Sequence, residues 1–155
     1  FGKGSRIKWG SRILNPHNIE IGDNVLIEEF VWLNAGENNC SLKILDGTHI
    51  SRFSHINCYN DVQIGSHVLI GENVYIGDAD HSYKNKSQPI IKQQIDIKKK
   101  VLIDSGSHIC KNAVISSGIS VGKNSIVGPN VFLTLNLPDY SIAVGNTATI
   151  ISQNE

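Results

Sequence analysis

The chain has no methionine, only four prolines and three cysteines in 155 residues, and aromatic side chains make up 6% of it. Cys40, Cys58 and Cys110 are odd in number and lack CxxC spacing. A disulfide framework and a zinc site are therefore not expected, and the thiols read as reduced groups of a cytoplasmic protein. Neither sign of charge dominates, since Lys plus Arg and Asp plus Glu both number 14. No global field draws such a chain to nucleic acid or to an acidic membrane. No apolar run approaches the roughly 18 residues of a membrane-spanning helix, and no signal peptide is visible. Because the chain starts at Phe1 without a methionine, an N-terminal cap segment is expected to be missing from view. The length suits one domain, residues 1–155, with a real core.

What is present is a repeat with a period of six. The middle of the chain reads ILDGTH (44–49), ISRFSH (50–55), IGSHVL (64–69), IGENVY (70–75) and IGDADH (76–81). Further on come IDSGSH (103–108), ICKNAV (109–114), ISSGIS (115–120), VGKNSI (121–126) and VGPNVF (127–132). Every hexad opens on Ile or Val, and its fifth slot is usually small or β-branched, as at Thr48, Ser54, Val68, Val74, Ser107, Ala113, Ser125 and Val131. The fourth slot collects Gly10, Asn24, Gly47, Asn73, Gly106, Asn112, Gly118, Asn124 and Asn130, with Phe30, Phe53 and His67 as exceptions. A period of six drifts around a helix, so no amphipathic helix can use it. A short strand followed by a corner can. The first slot points inward, the fifth shares the narrow interior, and the Gly or Asn supplies a left-handed corner. Three sides make a coil, and stacked coils with strands about 4.8 Å apart make a triangular prism of about seven coils.

These hexads resemble the hexapeptide-repeat acyltransferases over nearly the whole chain. The resemblance implies an all-β fold, a left-handed parallel β-helix in the form of a triangular prism. The handedness comes from the family, since parallel crossovers are ordinarily right-handed. One polar stretch, about residues 82–96, breaks the repeat and is expected to protrude as a loop.

At the root of that loop the sequence reads Asp78, Asp80, His81 and Ser82, then Gln88, Pro89 and Ile90. This resembles the "D-x-D-H-S" and "Q-P-I" motifs of the sugar O-acetyltransferases within the family, such as galactoside, maltose, capsule and lipopolysaccharide acetyltransferases. The resemblance implies that His81 is the catalytic base. An imidazole takes the proton of an acceptor hydroxyl as it attacks the thioester of acetyl-CoA, then protonates the thiolate, with no acyl-enzyme. Asn57 is similar to the asparagine that holds the acceptor in such enzymes, and Asp78, Tyr83 and His108 are further expected acceptor contacts. Strand alternation makes Asp80 the poorer partner for His81.

For the donor, residues 115–128 resemble the coils over which the pantetheine arm runs, and 137–150 resembles the family's closing signature. The resemblance implies coenzyme contacts from Lys111, Ser117, Gly118, Lys123, Pro129 and Thr134, and an oxyanion-stabilising amide near Cys110–Lys111. The chain departs from the pattern at Leu135, Thr147 and Thr149, where basic groups or a proline are usual, and Pro129 removes an amide N–H. The family also implies a homotrimer with sites between subunits, to which exposed Trp9, Phe30 and Trp32 would contribute. No metal is expected. A histidine-zinc enzyme of the gamma carbonic anhydrase type is disfavoured because the six histidines lack its spacing. Two other readings stand beside O-acetylation: N-acetylation of an amino-sugar nucleotide, and a non-catalytic β-helix scaffold.

Overall fold

A computed structural model describes residues 1–37, 39–145 and 149–153, the last segment by its backbone. The strands form the three faces of a prism. The first sheet stacks Arg6–Ile7, Leu26–Ile27, His49–Ile50, Leu69–Ile70, His108–Ile109, Ile126–Val127 and Ser141–Val144 in parallel. Thr149–Gln153 closes it antiparallel. The second sheet stacks Arg12–Leu14, Trp32–Ala35, His55–Cys58, Tyr75–Gly77, Val114–Ile115 and Phe132–Leu133. The third stacks Ile19–Ile21, Ser41–Ile44, Asp61–Ile64, Val101–Ile103 and Ser120–Val121. Successive strands along the chain visit the three sheets in turn, which makes the parallel β-helix of about seven turns that the hexads imply, with the left hand that the family resemblance implies.

The slots behave as the period requires. First-slot Ile27, Ile44, Ile50, Ile64, Ile70, Ile76, Ile103, Ile109 and Ile115 are fully buried and stack along the axis. The fifth slot is equally closed, and its hydroxyls find partners there. Thr48 Oγ1 donates to the Gly65 carbonyl at 2.7 Å and accepts from the Val68 N–H at 3.2 Å, tying one coil to the next. Ser54 and Ser107 repeat the arrangement. A buried hydroxyl without such partners would be costly, so the ladder keeps small polar residues tolerable in an apolar core.

The three exceptions at the corner slot are exceptions in residue type only. Phe30, Phe53 and His67 have φ of 60°, 62° and 56°, inside the range of the Gly and Asn corners. A left-handed residue with a Cβ costs about 1–2 kcal/mol, so stacking of the coils overrides local preference. At two of these corners the rings offset part of the cost. Phe30 and Phe53 stack at 5.4 Å, and Trp9 meets Phe30 edge-on at 5.2 Å.

The break in the repeat is larger than its polar composition indicates. Ala79–His81 pairs antiparallel with Ile95–Ile97, with His81 opposite Ile95. The excursion is therefore a ribbon-based arm that leaves at Asp78, not a loop opening after a complete IGDADH hexad. No helix among the described residues is long and apolar enough to cross a membrane.

Candidate active site at the root of the arm

His81 stands on the arm, exposed, where the arm leaves the edge between the second and third sheets. With Asn57, Tyr59, Tyr75, Ala79, Asp80 and Ile95 it lines a pocket of about 170 Å³. Sheet register explains the meeting. Asn34, Asn57 and Gly77 are successive partners in the second sheet, so the two asparagines stack one above the other. Asn34 Nδ2 donates to Asn57 Oδ1 at 2.6 Å, and Asn57 Nδ2 reaches the Tyr75 hydroxyl at 3.5 Å. The third rung is glycine for a steric reason: a Cβ at Gly77 would sit 2.6 Å from the Tyr75 hydroxyl. The hydroxyl thus occupies the place a side chain would take, and leans over Asn57. His55 is sandwiched between Trp32, stacked at 4.4 Å, and Tyr75, edge-on at 5.5 Å. Burial there pushes the His55 pKa down, and among the described residues its Nε2 has no hydrogen-bond partner. The ring serves as an aromatic spacer holding Tyr75 upright.

Asp78 requires a correction. Its carboxylate is fully buried, with Oδ1 accepting from the Tyr59 N–H at 2.7 Å and Oδ2 from the Asn60 and Asp61 N–H groups at 2.8 Å each. It closes the corner beneath the arm and presents nothing to an acceptor. Asp80, the poorer partner by strand alternation, does line the pocket and accepts from Ser117 Oγ at 3.3 Å. Tyr83 is 75% exposed and outside the pocket wall. His108 is on the first sheet between Leu69 and Ile126, with its Nδ1 3.9 Å from Cys110 Sγ. Neither Tyr83 nor His108 joins His81 within one chain.

The expected donor contacts are dispersed over the prism edges. Ser117, Gly118 and Thr134 follow second-sheet strands and share the edge from which the arm springs. Lys111 and Pro129 follow first-sheet strands on another edge, and Lys123 follows a third-sheet strand on the last. The three are exposed, and one chain cannot gather them into a groove with Ser117 and Gly118. The Cys110 N–H donates to the Val127 carbonyl at 2.8 Å, so of the Cys110–Lys111 pair expected to supply an oxyanion donor it is the engaged member. Leu135 packs against the core. Thr147 lies outside the described residues.

Two grooves flank the arm. On the side of the earlier coils Leu14, Asn15, Asn34, Gly36, Glu37, Tyr59 and Ile97 enclose about 560 Å³. On the side of the later coils Asn60, Ile97, Lys98, Lys99, Ser117 and Gly118 border about 610 Å³. Ile97 lines both and Tyr59 links the first to the His81 pocket, so His81 stands at the arm that divides two clefts. Tyr75, Asn34 and the lysine run 98–100 escaped the sequence reading. Asn34 was legible as the equivalent of Asn57 one coil earlier, and KKK as a charge cluster adjoining the arm. Among the described residues no group of three His, Cys, Asp or Glu side chains is placed to hold a metal ion.

Known proteins share this architecture. A protein-family profile described as "Hexapeptide repeat of succinyl-transferase" matches residues 100–134. The chain superposes on the N-acyltransferase AntD of Bacillus cereus, in complex with dTDP-4-amino-4,6-dideoxyglucose and coenzyme A, with a TM-score of 0.84. The fold is the hexapeptide-repeat β-helix. That match covers 99% of this chain and 82% of the other at 20% identity. The hexapeptide-repeat acetyltransferase VCA0836 of Vibrio cholerae, complexed with acetyl-coenzyme A, aligns at 24% identity over 99% of this chain and 69% of its own, with a TM-score of 0.66. PerB of Caulobacter crescentus, in complex with CoA and GDP-perosamine, aligns at 17% identity over 96% of this chain and 57% of its own, with a TM-score of 0.72. No curated protein matches the sequence. At these identities the hexapeptide-repeat β-helix is shared and the chemistry must be argued from the residues.

Proposed function

We propose that the chain is an acyl-CoA-dependent acyltransferase that acetylates a sugar hydroxyl by direct transfer, with His81 as general base. The observation that carries this is the pocket in which His81 meets Asn57 and Tyr75 between two larger clefts. A transferase needs two extended substrates to meet at one base, and a divided edge supplies that geometry. The Asn57 amide and the Tyr75 hydroxyl offer a donor and an acceptor to a sugar hydroxyl, and hold it for attack. His81 takes that proton as the oxygen attacks the thioester carbonyl, and returns it to the departing thiolate. The acceptor is assigned to the cleft with Asn15, Asn34 and Glu37, which is rich in hydrogen-bonding groups, and the coenzyme to the cleft with Ser117, Gly118 and the lysines.

The assembly proposed is a homotrimer. The second-sheet face carries Trp32 and Phe132 exposed, and its covering by a second copy would bring Lys111 and Pro129 of a neighbouring edge towards the arm. Because acyl-CoA is an intracellular donor, the proposed location is the cytoplasm.

A second reading is favoured by the likeness to AntD and PerB, whose complexes contain amino-sugar nucleotides: N-acylation of such a nucleotide. One assay separates the two. Thiol release from acetyl-CoA is followed against a panel of sugars, glycans and amino-sugar nucleotides. Turnover confined to hydroxyl acceptors supports O-acetylation, and turnover confined to amines transfers the assignment to the second reading. No release with any acceptor, together with no thermal stabilisation by millimolar acetyl-CoA, would leave the chain a scaffold.

A further inference from the structure

One outward position of the second sheet is filled differently in each coil. Leu14, Asn34, Asn57 and Gly77 occupy it in succession, paired rung by rung. The Leu14 side chain neither donates nor accepts, and Gly77 has none, so the two asparagines meet one another along the stack. Asn34 Nδ2 donates to Asn57 Oδ1 at 2.6 Å. The two ends of an amide diverge, so holding Oδ1 turns the Asn57 nitrogen away from Asn34. That nitrogen meets the Tyr75 hydroxyl at a long 3.5 Å, and among the described residues it has no other side-chain partner. Asn57 therefore shows its donor end to the wall it shares with His81, Tyr75 and Asp80. Asn34 itself lines the neighbouring cleft and not this pocket.

The direction of that amide matters to the nucleophile. A hydroxyl attacking a thioester uses one lone pair and gives its proton to His81. Its second lone pair is left over, and an N–H donor satisfies it. A neutral amine spends its single lone pair in the attack and keeps two N–H bonds. One can face His81, and the other needs an acceptor, so an amide turned donor-first meets it N–H against N–H. The carboxylate on the wall, Asp80, already accepts from Ser117 Oγ at 3.3 Å. A site built for one hydrogen-bonding pattern rejects the other because polar groups are left unpaired.

We infer that Asn34 is a positioning residue that selects a hydroxyl over an amine, acting through Asn57. It touches no reacting atom, and it fixes which end of the Asn57 amide faces the acceptor. This deepens the proposed function and rests on it for the placing of the acceptor beside His81.

The test uses the full chain and two variants. Asn34→Asp inverts the cue, because a carboxylate only accepts and draws Asn57 Nδ2 towards itself, leaving Oδ1 for the pocket. Asn34→Ala removes the cue without adding charge. The first readout needs no substrate. In nuclear magnetic resonance spectra at neutral pH, the Asn57 side-chain amide signals are assigned by their loss in Asn57→Asp. They are expected to move downfield in Asn34→Asp as they gain a charged partner. The second readout is thiol release from acetyl-CoA on paired sugars that differ only in bearing a hydroxyl or an amine at the acceptor carbon. Asn34→Asp is expected to shift the ratio of kcat/KM values towards the amine by about tenfold, and Asn34→Ala by less. A merely structural Asn34 would lower turnover of both acceptors alike. Unmoved Asn57 signals in Asn34→Asp, or an unchanged hydroxyl-to-amine ratio in both variants, would overturn the inference while His81-dependent turnover still stood. Displaced Asn57 signals with no turnover on any acceptor would keep the hold of Asn34 on Asn57 and remove the proposed function instead.

Discussion

Replacing Asp78 by asparagine separates a structural carboxylate from a ligand-binding one. The side chain keeps its shape, but one oxygen becomes an NH2 group facing donors it cannot accept from. In the better of the two amide orientations the introduced asparagine keeps its oxygen towards the Asn60 and Asp61 N–H groups and turns its nitrogen on the Tyr59 N–H. One charge-assisted bond worth about 1.5–3 kcal/mol is then lost, and two others fall from charge-assisted to neutral, at roughly half their strength. The sum is about 3–6 kcal/mol, since the site is fully closed to water. For a chain of this size each kcal/mol moves the melting temperature by about 2–4 °C, so Asp78→Asn is expected to melt roughly 10 °C lower. Calorimetry measures the shift, and acceptor saturation curves taken well below the new melting point measure the site. An unshifted melting temperature with a strongly raised acceptor KM would refute the reasoning and return Asp78 to the acceptor cleft.

The other expectations concern single side chains. His81→Ala is expected to lower kcat by at least about a hundredfold without moving the melting temperature, because the ring is exposed; steady-state kinetics and calorimetry on one preparation check both. His67→Asn places a residue tolerant of the left-handed corner where an exposed histidine now stands, and is expected to gain about 1 kcal/mol, a rise of about 2–4 °C measured by calorimetry. For pH, burial holds the His55 pKa below its ordinary value, so the unfolded chain binds the proton first as pH falls. Stability from this site is therefore intact above about pH 6.5 and declines as pH drops through the unfolded value. His55→Phe keeps an aromatic spacer and is expected to flatten the dependence of melting temperature on pH across the range in which an ordinary histidine titrates; an unchanged slope would assign the dependence to other groups.

The hexads by themselves determined the coil, because a period of six has one economical solution: an inward aliphatic, a small fifth residue and a left-handed corner. Even Phe30, Phe53 and His67 followed that rule, since neighbouring coils impose one corner geometry whatever residue stands there. His81 was legible through its motif at the point where the repeat fails. Tertiary structure decided what surrounds it. Asp78 and Asp80 are close neighbours in sequence, yet one is buried under three N–H groups and the other lines the pocket, because the chain turns out of the coil between them. Tyr75 reaches Asn57 only because Gly77 leaves room above it. Lys98 and Lys100 find their carboxylates only where the arm and the third sheet supply them. A repeat encodes its own stacking locally, one hexad at a time, whereas partners many residues apart meet only when coil lengths and the departure of the arm set them side by side.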